Sequence, residues 1–308
     1  MAFRLKPREA IAHGLRRLVT GELKSARSAL RQGSPPPDTA IFAARKSLKK
    51  VRAVRDLIAA DAGAHLRGSR KMLRRVNRRL STLRDADALL DILKKLRRSN
   101  PRLFDEHTFA RVRRRLADHK RASMAATDDA RAWDSIDRDL RALRRNARRW
   151  RPTHRGFRAL GEGIHVTLRK GRQALERAQH EQRADAFHAW RKHVKALWYD
   201  LRLIEDCSPD VSRDVSALQR AQAELGDDHN LEVLCEELSK HRALCDLERL
   251  RHAVNRYQRA LRRKAMTHTA HIYSPLPDEY VRTVRRAWKV WQRGHKKARA
   301  VPSRTKVA

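Results

Sequence analysis

The sequence predicts an all-α protein made of two four-helix repeats, and three observations carry that prediction. Arg, Ala and Leu, all strong helix formers, fill the stretches between a few breaks, and no alternating β-branched run of useful length interrupts them. Glycine and proline number only 11 and 10 and gather at those breaks. The strings FHAWRKHVKALW and LGDDHNLEVL, starting at Phe187 and Leu225, answer IFAARKSLKKVR and LSTLRDADAL, starting at Ile41 and Leu80. Arg191 on Arg45 gives an offset of 191 − 45 = 146, and Leu225 on Leu80 gives 225 − 80 = 145, which is the mark of an internal duplication.

The first helix runs up to the break GSPPPD at Gly33 to Asp38, where proline forbids continuation. The second carries the seam Ile41, Ala44, Leu48, Val51 and Ile58, at steps of three, four and seven. A further helix holds Leu73, Val76, Leu80 and Leu83, with Lys71, Arg74, Arg75 and Arg78 roughly opposite that seam and therefore outward. Pro101 marks the next break, and Trp150-Arg151-Pro152 closes the first repeat, 1–152. In the second repeat, 153–298, the helix from Asp185 to Asp206 has the clearest seam: Phe187, Trp190, Val194, Leu197, Leu201 and Ile204. Pro209 opens the next helix, whose Leu218, Ala221 and Leu225 match the earlier leucine seam, and SPLPD at Ser274 to Asp278 separates the last. Residues 299–308 read as a basic tail.

Both copies place clustered cations beside a seam. On the helix from Asp185, the residues His188, Arg191, Lys192, Lys195, Tyr199 and Arg202 share an arc of roughly 100° at about 100° per residue. On the equivalent helix of the first copy Arg45, Lys46, Lys49 and Arg52 hold the strip, with Phe42 standing where the second copy has His188. A charged strip on a helix is most often a solvated face, but such faces mix signs, whereas Arg45 to Arg52 and His188 to Lys195 are purely basic and recur at matching places. Two cationic helices brought together about a pseudo-two-fold axis point to an anionic ligand. Arg84 and His229 correspond between the copies and are candidate supporting residues; Asp85 with Asn230, and Asp87 with Glu232, are expected to orient neighbouring cations.

Composition agrees. Lys+Arg 73 against Asp+Glu 35 gives a formal net charge of +38, which repels itself unless a polyanion neutralises it. Hydrophobic residues still make up 41% of 308, enough for a sizeable core and too many for a disordered basic tail. Cys207, Cys235 and Cys245 show no C-x-x-C spacing, so reduced thiols in a cytosol are expected rather than zinc or disulfides. Charge near the amino terminus precedes any apolar h-region, and no window approaches 18 uninterrupted apolar residues, so neither export nor membrane insertion is expected. His268 and His271 could share a helix face near a metal, but an i, i+3 pair among 15 histidines carries little weight, and no metal or cofactor is expected.

The duplicated residues resemble the CHAD domain family (conserved histidine α-helical domain). His188, Arg191, Lys192 and Lys195 followed by LGDDHNLEVL look like its H-x-x-R-K-x-x-K helix and L-G-x-x-R-D-x-D-V-L block; Arg45, Lys46, Lys49 and Arg52 followed by LSTLRDADAL are the first copy. Phe42 departs from the family's histidine, Ser81 from its glycine, and His229-Asn230 from its Arg-Asp. Over 1–298 the resemblance implies two four-helix bundles about a pseudo-two-fold axis, with a basic central pore that binds inorganic polyphosphate and performs no catalysis. It also implies a cytoplasmic protein that can associate with polyphosphate granules.

Physical argument favours the same ligand. A polyphosphate carries about one charge per phosphate and no bases, so its binder needs a track of Arg and Lys rather than stacking rings, and only 5% of this chain is aromatic. Arg191 to Arg202 spans roughly 16 Å of helix, long enough for several successive phosphates. One alternative is nonspecific nucleic-acid binding, which this charge favours at low salt. Another is a phosphohydrolase, with His188 as general base, or an accessory subunit of a polyphosphate-metabolising enzyme. That chemistry usually needs metal-holding carboxylates or a phosphate loop, and the sequence has no Gly-rich phosphate loop, no H-E-x-x-H and no acidic pair at a cationic strip.

Overall fold

The computed structural model describes residues 2–33, 36–80, 85–125, 130–241 and 244–297. The described residues form twelve α-helices and two short 3-10 turns, with no strand. In the first half these are α1 (Ile11–Ala29), α2 (Asp38–Leu57), the one-turn α3 (Ala59–Ala62), α4 (Ser69–Arg79), α5 (Asp85–Ser99), α6 (Glu106–Ala125) and α7 (Ala130–Ala147). The second half contains α8 (Arg158–Glu181), α9 (Ala184–Arg202), α10 (Pro209–Ser239), α11 (Leu247–Tyr273) and α12 (Pro277–Lys297). The expected count of four per half is therefore corrected to a longer series. Subtracting 146 from the bounds of α9 gives 38–56, almost those of α2, and the other helices pair in order, α1 with α8, α6 with α11 and α7 with α12. The long α10 answers α4 and α5 together, so one copy runs a single helix where the other has two.

Helix starts follow the chemistry of the sequence. The Ser208 hydroxyl accepts from Val211 N at 3.2 Å with Pro209 in the first turn of α10, and the Asp246 carboxylate accepts from the amides of Glu248 and Arg249 at 3.0 and 3.1 Å to start α11. The seams predicted for α2 and α9 are buried: Ile41, Ala44, Leu48, Val51 and Ile58 on one side, and Phe187, Trp190, Val194, Leu197, Leu201 and Ile204 on the other.

Packing does not follow the division at residue 152. The larger core draws on α1, α2, α4 and α7 together with α8, α9, α12, the first half of α10 and the end of α11, while a second cluster joins Leu89, Ile92, Leu93 and Leu96 of α5 and Val112 and Leu116 of α6 to Leu231, Leu234 and Leu238 further along α10 and Leu250 and Leu261 of α11. At the junction between halves α2 packs on both α8 and α9. The approach is close because α8 presents Gly163, where a Cβ would sit 1.9 Å from the Leu57 carbonyl oxygen. Asp200 of α9 is buried in this region. Burial holds its carboxyl well above the usual carboxylate range, a Thr167 hydrogen bond opposing that shift and Asp56 adding to it.

Among the described residues no helix is long and apolar enough to cross a membrane. All three cysteines are free, and burial pushes the thiols up, to about 12 for Cys207 and about 11 for Cys235. Such thiols stay protonated near neutral pH.

Candidate functional site

The two predicted strips lie on α2 and α9, which pack against one another. On α2 the side chains of Arg45 and Lys49 are half-buried, while Lys46 and Arg52 are exposed. On α9 the residues His188, Arg191 and Lys195 are half-buried and Lys192 is exposed. In each copy the leading arginine reaches the second repeated block. Arg45 donates to the Leu80 carbonyl at the end of α4, and the Arg191 guanidinium lies 3.6 Å from where a Cβ on Gly226 of α10 would stand. Since 226 − 145 = 81, these two contacts occupy equivalent places one residue apart. Arg52 pairs with an acid one turn along its own helix, Asp56 at 3.4 Å, and that exposed i, i+4 pair contributes little.

His188 lies against His229, with ring centroids 4.3 Å apart and planes inclined by 43°. Its Nδ1 is buried without a hydrogen-bond partner among the described residues. The His188 imidazole is pushed down to about 4, first by burial and then by His229, Lys192 and Arg191.

Beneath this pair is a buried network that the sequence motifs do not announce. Arg262 of α11 donates Nε to Asp228 Oδ1 at 2.7 Å and Nη1 to the Gln182 carbonyl at 3.2 Å, and its guanidinium stacks 4.3 Å above the Phe187 ring. Gln258 donates to the Asp228 carbonyl at 3.0 Å and to Glu232 at 3.4 Å. These bonds tie α8, α9, α10 and α11 together immediately behind His188 and His229. Burial raises the Asp228 carboxyl, with Arg262 pulling the other way. The available signal was Asp228 itself, three residues after Leu225 on the seam side of its helix, since an acid there requires a buried cation.

Several expectations are corrected, and others fall on residues that are not described. Tyr199 is a core residue at 5% exposure, its ring edge-on to Phe3 at 6.2 Å, because the amino-terminal segment folds over the last turns of α9 and bonds Leu5 N to the Leu203 carbonyl at 2.8 Å. Arg202 stacks over Trp198 at 4.7 Å and Phe3 at 5.8 Å, so it belongs to the same cover. Arg202 is half-buried, as Lys195 is, so only Tyr199 of the α9 strip is taken into the core. Arg84, the side chains of Asp85 and Asp87, and the tail at 299–308 lie outside the described residues. Phe42 is 49% exposed and lines a cavity of about 370 Å³ together with Lys94, Lys95 and Arg98 of α5 and Asp227 and Asn230 of α10. Lys95 and Asp227 bridge the two halves at 2.6 Å. His271 is engaged by Asp214 at 2.9 Å, and among the described residues no group of three or more His, Cys, Asp or Glu could hold a metal ion.

The family description "CHAD domain" matches residues 9–239 of the 308. The chain belongs to the CHAD domain family. A crystal structure of the CHAD domain from the plant Ricinus communis is similar in fold, with a TM-score of 0.56, 17% identity, and coverage of 94% of this chain and 95% of that one. No curated protein matches significantly. The family match takes in both repeated blocks of this CHAD domain, so the departures at Phe42, Ser81 and His229 are variations within a shared architecture.

Proposed function

We propose that this protein binds inorganic polyphosphate, without turning it over, along a basic cavity about a pseudo-two-fold axis where the α2 strip faces the α9 strip. The observation that carries the reading is the equivalent seating of Arg45 and Arg191, on packed helices, against the same turn of the repeated block in each copy. Membership of the CHAD family and a net charge of +38 support it. Guanidinium and ammonium groups at successive helical turns suit a flexible chain of phosphates, each meeting its own donor. Polyphosphate granules in the cytoplasm are the corresponding location.

Long-chain polyphosphate is expected to raise the melting temperature by on the order of 10 °C at about a thousandfold excess over Kd, because it binds the folded state and relieves cation repulsion. Orthophosphate at equal phosphate concentration is expected to do far less, since it gains nothing from multivalency. Equal stabilisation by the two anions, or failure of polyphosphate to displace nucleic acid at physiological salt, would defeat this function.

Acidification provides an independent check on His188. In the free protein its imidazole is neutral down to about pH 4. A bound phosphate reverses the local field and raises that value, so the complex takes up a proton and affinity rises as pH falls between the bound and free values. Wild type is expected to bind more tightly at pH 4.5 than at pH 6.5, by a ratio that shrinks in His188→Gln; identical ratios in titrations of both would make His188 a packing residue only.

A further inference from the structure

A dense run of exposed cations outside the two strips lies along α4. A cleft of about 870 Å³ runs from the turn after α3 along that helix, and its lining includes Arg55, Arg67, Arg70, Lys71, Arg74 and Arg78 and no carboxylate. Arg67, Arg70, Lys71 and Arg74 are exposed, and among the described residues their side chains form no ion pair. Arg75 is different, since it is held by Asp139 and fastens α4 to α7. A solvated helix face of this length would ordinarily alternate signs to limit self-repulsion. Here a whole face is kept positive although the protein already carries +38.

One feature separates this cleft from the duplicated site and another connects the two. It is not repeated, because the second copy places Val215, Ser216, Gln219 and Ala223 where the first has Arg70, Lys71, Arg74 and Arg78. It is also adjacent to the α2 strip. Arg45 bonds to the Leu80 carbonyl at one end of α4, and Arg55 donates to the Ser69 hydroxyl at 3.4 Å at the other, so α2 and α4 run antiparallel and side by side over about 15 Å. Helices in contact are about 8–10 Å apart, a gap that a flexible phosphate chain can cross. Asp56, which pairs with both Arg52 and Arg55, is the acid at that crossing.

We propose that the α4 cleft is a second station for the same polyanion, taking the part of a long polyphosphate that the central strips cannot hold, and that it makes affinity depend on chain length. This rests on the function proposed above. A short oligophosphate fills the strips and gains little from the cleft, whereas a long chain occupies both and gains the avidity of a tethered second contact.

The test compares tripolyphosphate with long-chain polyphosphate on wild type, on Arg70→Ala/Lys71→Ala/Arg74→Ala, and on Arg191→Glu, with melting temperature as a check on folding. The triple variant changes only exposed side chains and is expected to bind long chains about tenfold more weakly while its tripolyphosphate affinity stays within about twofold. If the ratio of long-chain to tripolyphosphate affinity is unchanged in the triple variant and Arg191→Glu weakens both, the cleft is only a solvated face and the central site stands. Equal loss of both ligands in the triple variant overturns the two-station arrangement by making the cleft the principal site. Full retention of both ligands by both variants overturns the cleft and the proposed function together.

Discussion

Reversing Arg191 and Lys192 to glutamate is expected to weaken long-chain polyphosphate binding by at least about a hundredfold at physiological salt. A hydrogen bond to a charged group contributes about 1.5–3 kcal/mol, and each 1.4 kcal/mol is a factor of ten, so loss of two such contacts alone predicts 10² or more. The introduced carboxylates add repulsion. Global charge would also change, from +38 to 38 − 4 = +34, and a matched control is needed. Arg148→Glu with Arg149→Glu makes the same change at exposed positions just past α7, and is expected to cost less than about threefold. Anisotropy titrations of labelled polyphosphate read both. Equal losses in the two variants would mean that net charge, and not the strip, holds the ligand.

Gly163→Ala is expected to destabilise the fold by about 3 kcal/mol or more, among the largest effects of any single methyl in this protein. The added carbon would stand 1.9 Å from the Leu57 carbonyl oxygen and 2.7 Å from Leu57 Cδ1. Backbone cannot rotate away as a side chain can, so α8 must retreat from the end of α2 and strip burial from both. At about 2–4 °C per kcal/mol this lowers the melting temperature by roughly 6–12 °C. Gly21 of α1 provides the opposite sign: nothing lies within 4 Å of the place a Cβ would take there, so Gly21→Ala is expected to stabilise by about 0.5–1 kcal/mol through helix propensity. A neutral Gly163→Ala in thermal melts would show that the contact between halves yields easily.

How much of this was legible beforehand depended on whether the information was local. The seam through Phe187, Trp190, Val194, Leu197, Leu201 and Ile204 was readable because burial repeats with the helical period, and each of those residues is at 1% exposure or less. The duplication was readable because it preserves order and spacing, and it extends to the matched helices α2 and α9. Tyr199 could not be placed from its helical angle, since what covers it is Phe3, nearly two hundred residues away in sequence. The partner of Asp228 was hidden for the same reason, as Arg262 comes from the following helix. The cations of α4 were visible, but their outward angle said nothing of the cleft formed beside the turn at Gly63 and Gly68, both with positive φ of 37° and 74°.

The second apolar cluster, in which leucines of α5 interlock with those of α10 and α11, bears on how such a chain could have arisen. A single ancestral repeat would have left that leucine face bare, and would have covered it only by pairing with another copy of itself. Fusion of two such copies converts an encounter between molecules into one within a molecule, and frees each half to change independently. The cation row of α4, matched by Val215, Ser216, Gln219 and Ala223 on the other side, is a difference of the kind a symmetric pair of identical subunits could never have acquired on one face alone.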